Sequence, residues 1–209
     1  MKPKTLALAA LTLAAFTSSA SLQAATIIGN SVTGPFQAGT NQGTKSVGFL
    51  TGASALSLQD IQVVLGSATG AGGSLTFTLN SDNAGLPGAV IATIGTSPVI
   101  PNFQAYAAYT LTPVNPLALA ANTTYWIQAA WGAATGPDWA RTNPASAPTD
   151  GLAHYIGYIL SPNTVSSTFN AIIVEGVATS SSSVPEPSSF LIGAIAVVLA
   201  FVARRGGVL

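Results

Sequence analysis

Residues able to do chemistry are few and scattered. His154 is the one histidine of the 209-residue chain, and there is no cysteine. A Ser-His-Asp relay would need His154 as its base, with Asp138 or Asp150 orienting the ring. No Gly-x-Ser-x-Gly elbow supplies the serine. A single histidine without thiols cannot build a His- or Cys-based zinc site. Between the two ends the acids are Asp60, Asp82, Asp138, Asp150 and Glu175, against Lys45 and Arg141, a net charge of −3. Two of these carboxyls could in type serve glycoside hydrolysis, which depends on a separation that spacing along a chain does not define. Asp82-Asn83-Ala84-Gly85 offers oxygen ligands beside a glycine, yet the closing glutamate of a calcium loop is missing. A β-turn held by Asp and Asn side chains is the expectation there. No catalytic residue, metal ligand or cofactor is expected from these side chains.

Aromatic side chains are the other candidates. Trp126, Trp139, Tyr155 and Tyr158 concentrate in the second half, near Asp138, Arg141 and Asn143. Exposed rings of this kind stack on sugar C–H faces while polar neighbours bond the hydroxyls, which makes these four candidate carbohydrate contacts. Packing in a β core is the competing use of the same rings. Alternation along Tyr125–Trp131 predicts Tyr125 and Trp131 inside and Trp126 exposed. Asn122-Thr123-Thr124 has the form of a glycosylation acceptor and reads better as a strand-entry turn.

The elements that would position these residues are strands. Leu75, Phe77 and Leu79 alternate with polar residues, as do Ile61, Val63 and Leu65, and then Tyr125, Ile127, Ala129 and Trp131. Ile172-Ile173-Val174 is a short continuous apolar run, the pattern of a strand covered on both faces. Residues 89–96, 104–112 and 154–160 are further candidates. Turn clusters separate them at 70–73, 81–88, 113–116 and 143–144. Short strands with Gly, Pro and Asn turns argue for an all-β body, an antiparallel β-sandwich or jelly roll. Only 6% of the chain is charged, and its six cations, most of them near the termini, cannot neutralise a run of phosphates. Nucleic acid is excluded as a partner.

The two ends read as addresses. Met1-Lys2-Pro3-Lys4, an apolar run from Leu6 to Phe16 and a small-residue stretch to Ala24 form a secretory signal peptide. That places the chain on the Sec export machinery. At the other end a serine-rich linker reaches Val184-Pro185-Glu186-Pro187, and the apolar stretch Phe190 to Ala203 ends in Arg204-Arg205. At about 1.5 Å per residue the stretch is about 21 Å long, a brief transmembrane helix and a weak anchor. The arginines put its far end on the cytoplasmic side.

Val184-Pro185-Glu186-Pro187, one short apolar segment and a terminal arginine pair together resemble the PEP-CTERM protein-sorting signal of exopolysaccharide-producing Gram-negative bacteria. That resemblance implies a membrane enzyme, exosortase, that recognises and cleaves the segment. Pro185, Glu186 and Pro187 would carry recognition, and Arg204 and Arg205 topology. Leu79–Gly88 and Leu117–Trp126 further resemble the β-rich body of choice-of-anchor domains, particularly the R type, which implies a fold and a surface destination but no defined activity.

The expected organisation is a signal peptide at 1–24, a β-sandwich surface domain at 25–178, a linker with Pro-Glu-Pro at 179–187, and a transmembrane sorting segment at 188–209. The favoured function is a non-catalytic exported surface or extracellular-matrix protein, held in the inner membrane as a precursor, with exopolysaccharide as a candidate partner. The alternative is a small secreted, carbohydrate-active hydrolase.

Overall fold

A computed structural model describes residues 23–40, 43–67, 72–131, 136–160 and 164–179. Apart from Gln23, Ala24 and Thr179, the expected signal peptide, linker and transmembrane segment lie outside these residues. Among the described residues all repetitive structure is strand, and no helix is long and apolar enough to cross a membrane. The strands are β1 (Ala25–Gly29), β2 (Phe36–Thr40), β3 (Thr44–Thr51), β4 (Leu56–Gly66), β5 (Leu75–Asn83), β6 (Leu86–Thr96), β7 (Ala107–Leu111), β8 (Leu117–Leu119), β9 (Thr124–Trp131), β10 (Asp138–Thr142), β11 (Thr149–Asp150), β12 (Ala153–Leu160), β13 (Thr164–Val165) and β14 (Ile172–Ala178).

They form two antiparallel sheets. One is eight-stranded, in the order β11-β1-β14-β4-β10-β2, with β7 and β8 also paired to β4. The other is six-stranded, in the order β13-β12-β3-β9-β5-β6. Each sheet turns one apolar face to the other. Leu75, Phe77 and Leu79 of β5 are buried with Ile127 of β9 and with Ile61, Val63 and Leu65 of β4 in a single core. Trp139 of β10 bridges the sheets, its ring edge-on to Phe77 at 5.1 Å and to Tyr158 at 6.5 Å. The all-β sandwich expected from period-two patterning is therefore present.

Strand β4 shows how the pattern is executed. Its residues buried in the core between the sheets are Leu56 and Leu58, then Ile61, Val63 and Leu65, a shift from even to odd positions. The shift falls at Gln59, because Gly176 faces Leu58 while Glu175 faces Asp60, leaving Gln59 as the extra residue of a bulge. Val64, on the other face, is buried with Ala140 and Ala171 under Val32, Phe36 and Tyr106. In β14 the run Ile172-Ile173-Val174 is covered fully on one face only, since Ile173 is half-buried. That corrects the expectation of a doubly covered strand.

The β5–β6 hairpin closes through Ala84 and Gly85, both at positive φ (53° and 83°), with Asn83 paired to Leu86. Such two-residue turns match the right-handed twist of the strands they join. The Gly85 N–H donates to Asp82 Oδ2 at 3.1 Å, so the Asp serves the turn as expected. Asn122 also takes a positive φ (50°) just before β9, and the Thr123 N–H donates to Thr51 Oγ1 at 2.8 Å. The strand-entry turn expected at 122–124 is formed.

Candidate functional sites

The aromatic candidates are mostly inside. Trp126 lies on β9 between Tyr125 and Ile127, both of which face the core, so alternation sends it to the outer face of the six-stranded sheet. It is nevertheless only 2% exposed. Directly across on β3 is Gly48, where an added Cβ would stand 2.7 Å from the Trp126 ring, and across on β5 is Asn80. The ring lies over the bare glycine backbone, and its Nε1–H donates to Asp82 Oδ1 at 2.8 Å. Exposure of Trp126, expected from its face, is thus corrected. Tyr125 is buried as expected, while Trp131 is only half-buried, its Nε1–H donating to the Pro137 carbonyl at 2.8 Å.

Trp139 is fully buried, and its Nε1–H donates to the Ala171 carbonyl at 3.0 Å. Tyr158 is buried too; its hydroxyl donates to Asn170 Oδ1, while Asn170 Nδ2–H donates to the Trp139 carbonyl. Burial pushes the Tyr158 phenol well above its ordinary range. Tyr155 is half-buried, edge-on to Phe169 at 6.3 Å, and burial pushes its phenol up to about 12. Trp126, Trp139 and Tyr158 therefore present no open ring face. Of the four expected carbohydrate contacts, only Tyr155 remains partly accessible.

His154 and Asp150 do meet. His154 Nδ1 lies 2.6 Å from Asp150 Oδ2, and the Tyr155 N–H donates to Asp150 Oδ1 at 2.8 Å. The hydrogen bond from His154, then that from Tyr155, hold the Asp150 carboxyl below its usual range. Both side chains stand in solvent, 66% and 53% exposed. An exposed carboxylate–imidazole pair can orient a base, yet among the described residues no serine or threonine hydroxyl bonds to that ring. Asp138, the other proposed partner, is elsewhere, buried and accepting a hydrogen bond from the Tyr106 hydroxyl at 3.2 Å. No three His, Asp or Glu side chains gather as a metal cage among the described residues.

A buried polar group that sequence reasoning missed surrounds Lys45. Its side chain is buried on β3, with Nζ 5.7 Å from the Trp131 ring centre. Among the described residues neither that ammonium nor Asp138 Oδ1 has a hydrogen-bond partner. Arg141 Nε–H donates to the Ala38 carbonyl at 2.6 Å. Burial, then the like charge of Arg141, pull the Lys45 pKa down to about 7 against an opposing pull from Asp138. Tyr106 goes up to about 12 through burial and its contact with Asp138. Near neutrality this lysine is an amine poised between charged and neutral forms. Its seclusion separates it from any large substrate. The available signal was the alternation Lys45, Val47, Phe49, in which lysine occupies an inward position.

The chain's addressing chemistry lies at its end. The family model of the PEP-CTERM protein-sorting motif matches residues 183–206. This chain carries a PEP-CTERM sorting motif. The match takes in Val184, Pro185, Glu186, Pro187, Arg204 and Arg205, the residues that carried the resemblance, all of which lie outside the described residues. PEP-CTERM motifs indicate sorting to the cell surface by exosortase, by way of export and a membrane-anchored precursor. No curated protein matches the chain.

Proposed function

We propose that this is a non-catalytic exported surface or extracellular-matrix protein, whose β-sandwich body is delivered by the PEP-CTERM segment and associates with exopolysaccharide. The observation that carries the reading is the motif at residues 183–206. The use of the polar side chains supports it. Asp82 holds a turn and Trp126, while Asp138 is buried against Tyr106. Such groups are committed to structure and poorly placed for turnover.

In this reading the signal peptide at 1–24 delivers the chain to Sec, the segment at 188–209 anchors it transiently, and residues 25–178 are the mature body. The hairpin at Leu79–Gly88 and the strand entry at Leu117–Trp126 support assigning that body to the choice-of-anchor R type. Polysaccharide contact centres on Tyr155, beside His154 and Asp150, because the other three rings are covered.

The test is retention of the exported protein on exopolysaccharide from an exosortase-bearing host, with release of reducing ends measured alongside. Retention that falls on Tyr155→Ala, without release of ends, is the expected result. Release of reducing ends that disappears on His154→Ala would replace this function with the hydrolase alternative.

A further inference from the structure

Strand β14 gives the body a hard carboxyl-terminal stop. It is an inner strand of the eight-stranded sheet, paired with β1 on one side and β4 on the other. Peeling it away would break two ladders at once. Its last residue, Ala178, pairs with Leu56. Thr179 then donates twice to the Ala55 carbonyl, from its N–H at 2.9 Å and its hydroxyl at 3.0 Å. The length of chain offered to an enzyme acting further on is therefore counted from Ser180. Five residues, Ser180 to Val184, separate the tie from Pro185, and six peptide steps span at most about 21 Å. On the far side Ser188 and Ser189 separate Pro187 from the apolar stretch at Phe190, a span of at most about 10 Å. A headgroup layer is about 6 Å deep, so the motif is confined close to the membrane surface. One short spacer holds Pro-Glu-Pro near the bilayer, and another holds it near the folded body. The end of the body beside the tie carries the turns at 52–55 and 121–123, joined by the Asn122 N–H to the Gly52 carbonyl at 2.8 Å. Neither turn contains a charged residue, so they bring no like charge to lipid phosphates.

We propose that the tie of Thr179 to Ala55 is a positioning device for the sorting step, and that the five residues after it set the reach at which exosortase takes hold of Pro-Glu-Pro. This rests on the sorting reading above and adds to it a requirement on the fold. A membrane enzyme working between the bilayer and a folded sandwich needs room for its own walls on both sides of the chain it cuts. With Thr179 tied, that room is fixed by residue count and not by fraying of β14. A shorter spacer brings the sandwich against the enzyme. The identity of the spacer residues matters little, since glycine- and serine-rich chains reach about equally far.

The full chain is expressed in an exosortase-bearing host, and conversion of precursor to mature protein is timed by pulse labelling. Deleting Ser180 to Ser183 should slow maturation by about tenfold or more, because a spacer too short to span two sites brings their effective concentration near zero. Putting Gly-Ser-Gly-Ser in the gap should restore the native rate. Deleting only Ser180 and Ser181 should give an intermediate rate. Thr179→Pro should then raise that rate, since proline has neither the N–H nor the hydroxyl that makes the tie. Inserting one glycine after Thr179 in the same shortened chain should also raise it, which controls for any cost of the proline to the body. Native-rate maturation of the four-residue deletion would overturn the proposal, as would a loss that Gly-Ser-Gly-Ser does not repair. So would Thr179→Pro leaving the shortened chain slow, whether or not the glycine speeds it. Unchanged processing after Pro185-Glu186-Pro187 is replaced by alanines would instead remove the sorting reading itself.

Discussion

Ala25 at the start of β1 pairs with Gly176 near the end of β14, so the body begins and ends on adjacent strands of one sheet. Thr179 is then tied to the Ala55 carbonyl through both its N–H at 2.9 Å and its hydroxyl at 3.0 Å. The carboxyl strand is held to the point where the linker begins. In the proposed route both processing events, removal of the signal peptide and cleavage near Pro-Glu-Pro, act next to strand ends that lie side by side at one end of the sandwich. Neither needs the core to open.

The arginine pair should set orientation separately from processing. Drawing two guanidinium groups through hydrocarbon costs several kcal/mol. Replacing Arg204 and Arg205 with alanine should therefore let part of the tail cross to the outside, read by protease protection of a carboxyl-terminal tag. The same tag should stay protected when only Glu186 is changed.

Trp126 is a structural residue despite its outward position. Trp126→Ala should cost about 3–5 kcal/mol by removing a buried ring, and half-buried Trp131→Ala distinctly less. Asp82→Ala should cost about 1–3 kcal/mol, since it strands the buried indole N–H. Urea unfolding of the three variants measures the order. A Trp131 loss larger than that of Trp126 would contradict the burial described.

Lys45 makes stability depend on pH in a defined window. Its pKa falls from 10.5 when exposed to about 7 in the fold, so the unfolded chain holds the proton more tightly. The folded state therefore has its full stability above the unfolded value, loses it as pH falls from about 10.5 to about 7, and changes little below that. Relative to Lys45→Met, the native chain should gain about 1.4 kcal/mol per pH unit between pH 7.5 and 9.5. Paired unfolding curves across that range measure it. A pH-independent difference would mean that Lys45 is paired or solvated.

Asp60 and Glu175 oppose each other directly on β4 and β14, and burial raises the Asp60 pKa above its ordinary 3.8. The folded state holds that proton more tightly than the unfolded chain, so the penalty grows as pH rises through the folded value and then persists. Asp60→Asn should stabilise the protein at pH 7 by removing a charge that burial disfavours. The gain should disappear below the ordinary carboxyl range. Denaturant midpoints at the two pH values test this.

Legibility of the chain followed local pattern. Strands β5 and β9 were readable because Leu75, Phe77, Leu79 and Tyr125, Ile127, Ala129 alternate cleanly. Strand β3 was hidden although it lies in the middle of its sheet, since Lys45 takes an inward position and Gly48 an outward one. Strand β10 was hidden by the polar residues of Asp138–Thr142. The opposed faces of Tyr125 and Trp126 were correctly read, but face does not determine exposure. Coverage of Trp126 depends on Gly48 and Asp82, which reach it only through strand pairing and a hairpin, relations no local window contains. The meeting of His154 with Asp150 was legible as one of two options, while the Lys45 group needed both sheets in place.

The sorting account is tested most directly by mass spectrometry of the protein recovered from the surface of an exosortase-bearing host. The mature chain should lack residues 188–209, and replacing Pro185-Glu186-Pro187 with alanines should leave the precursor in the membrane. Surface protein that still carries Phe190 to Leu209, or unchanged processing of the alanine variant, would contradict the account.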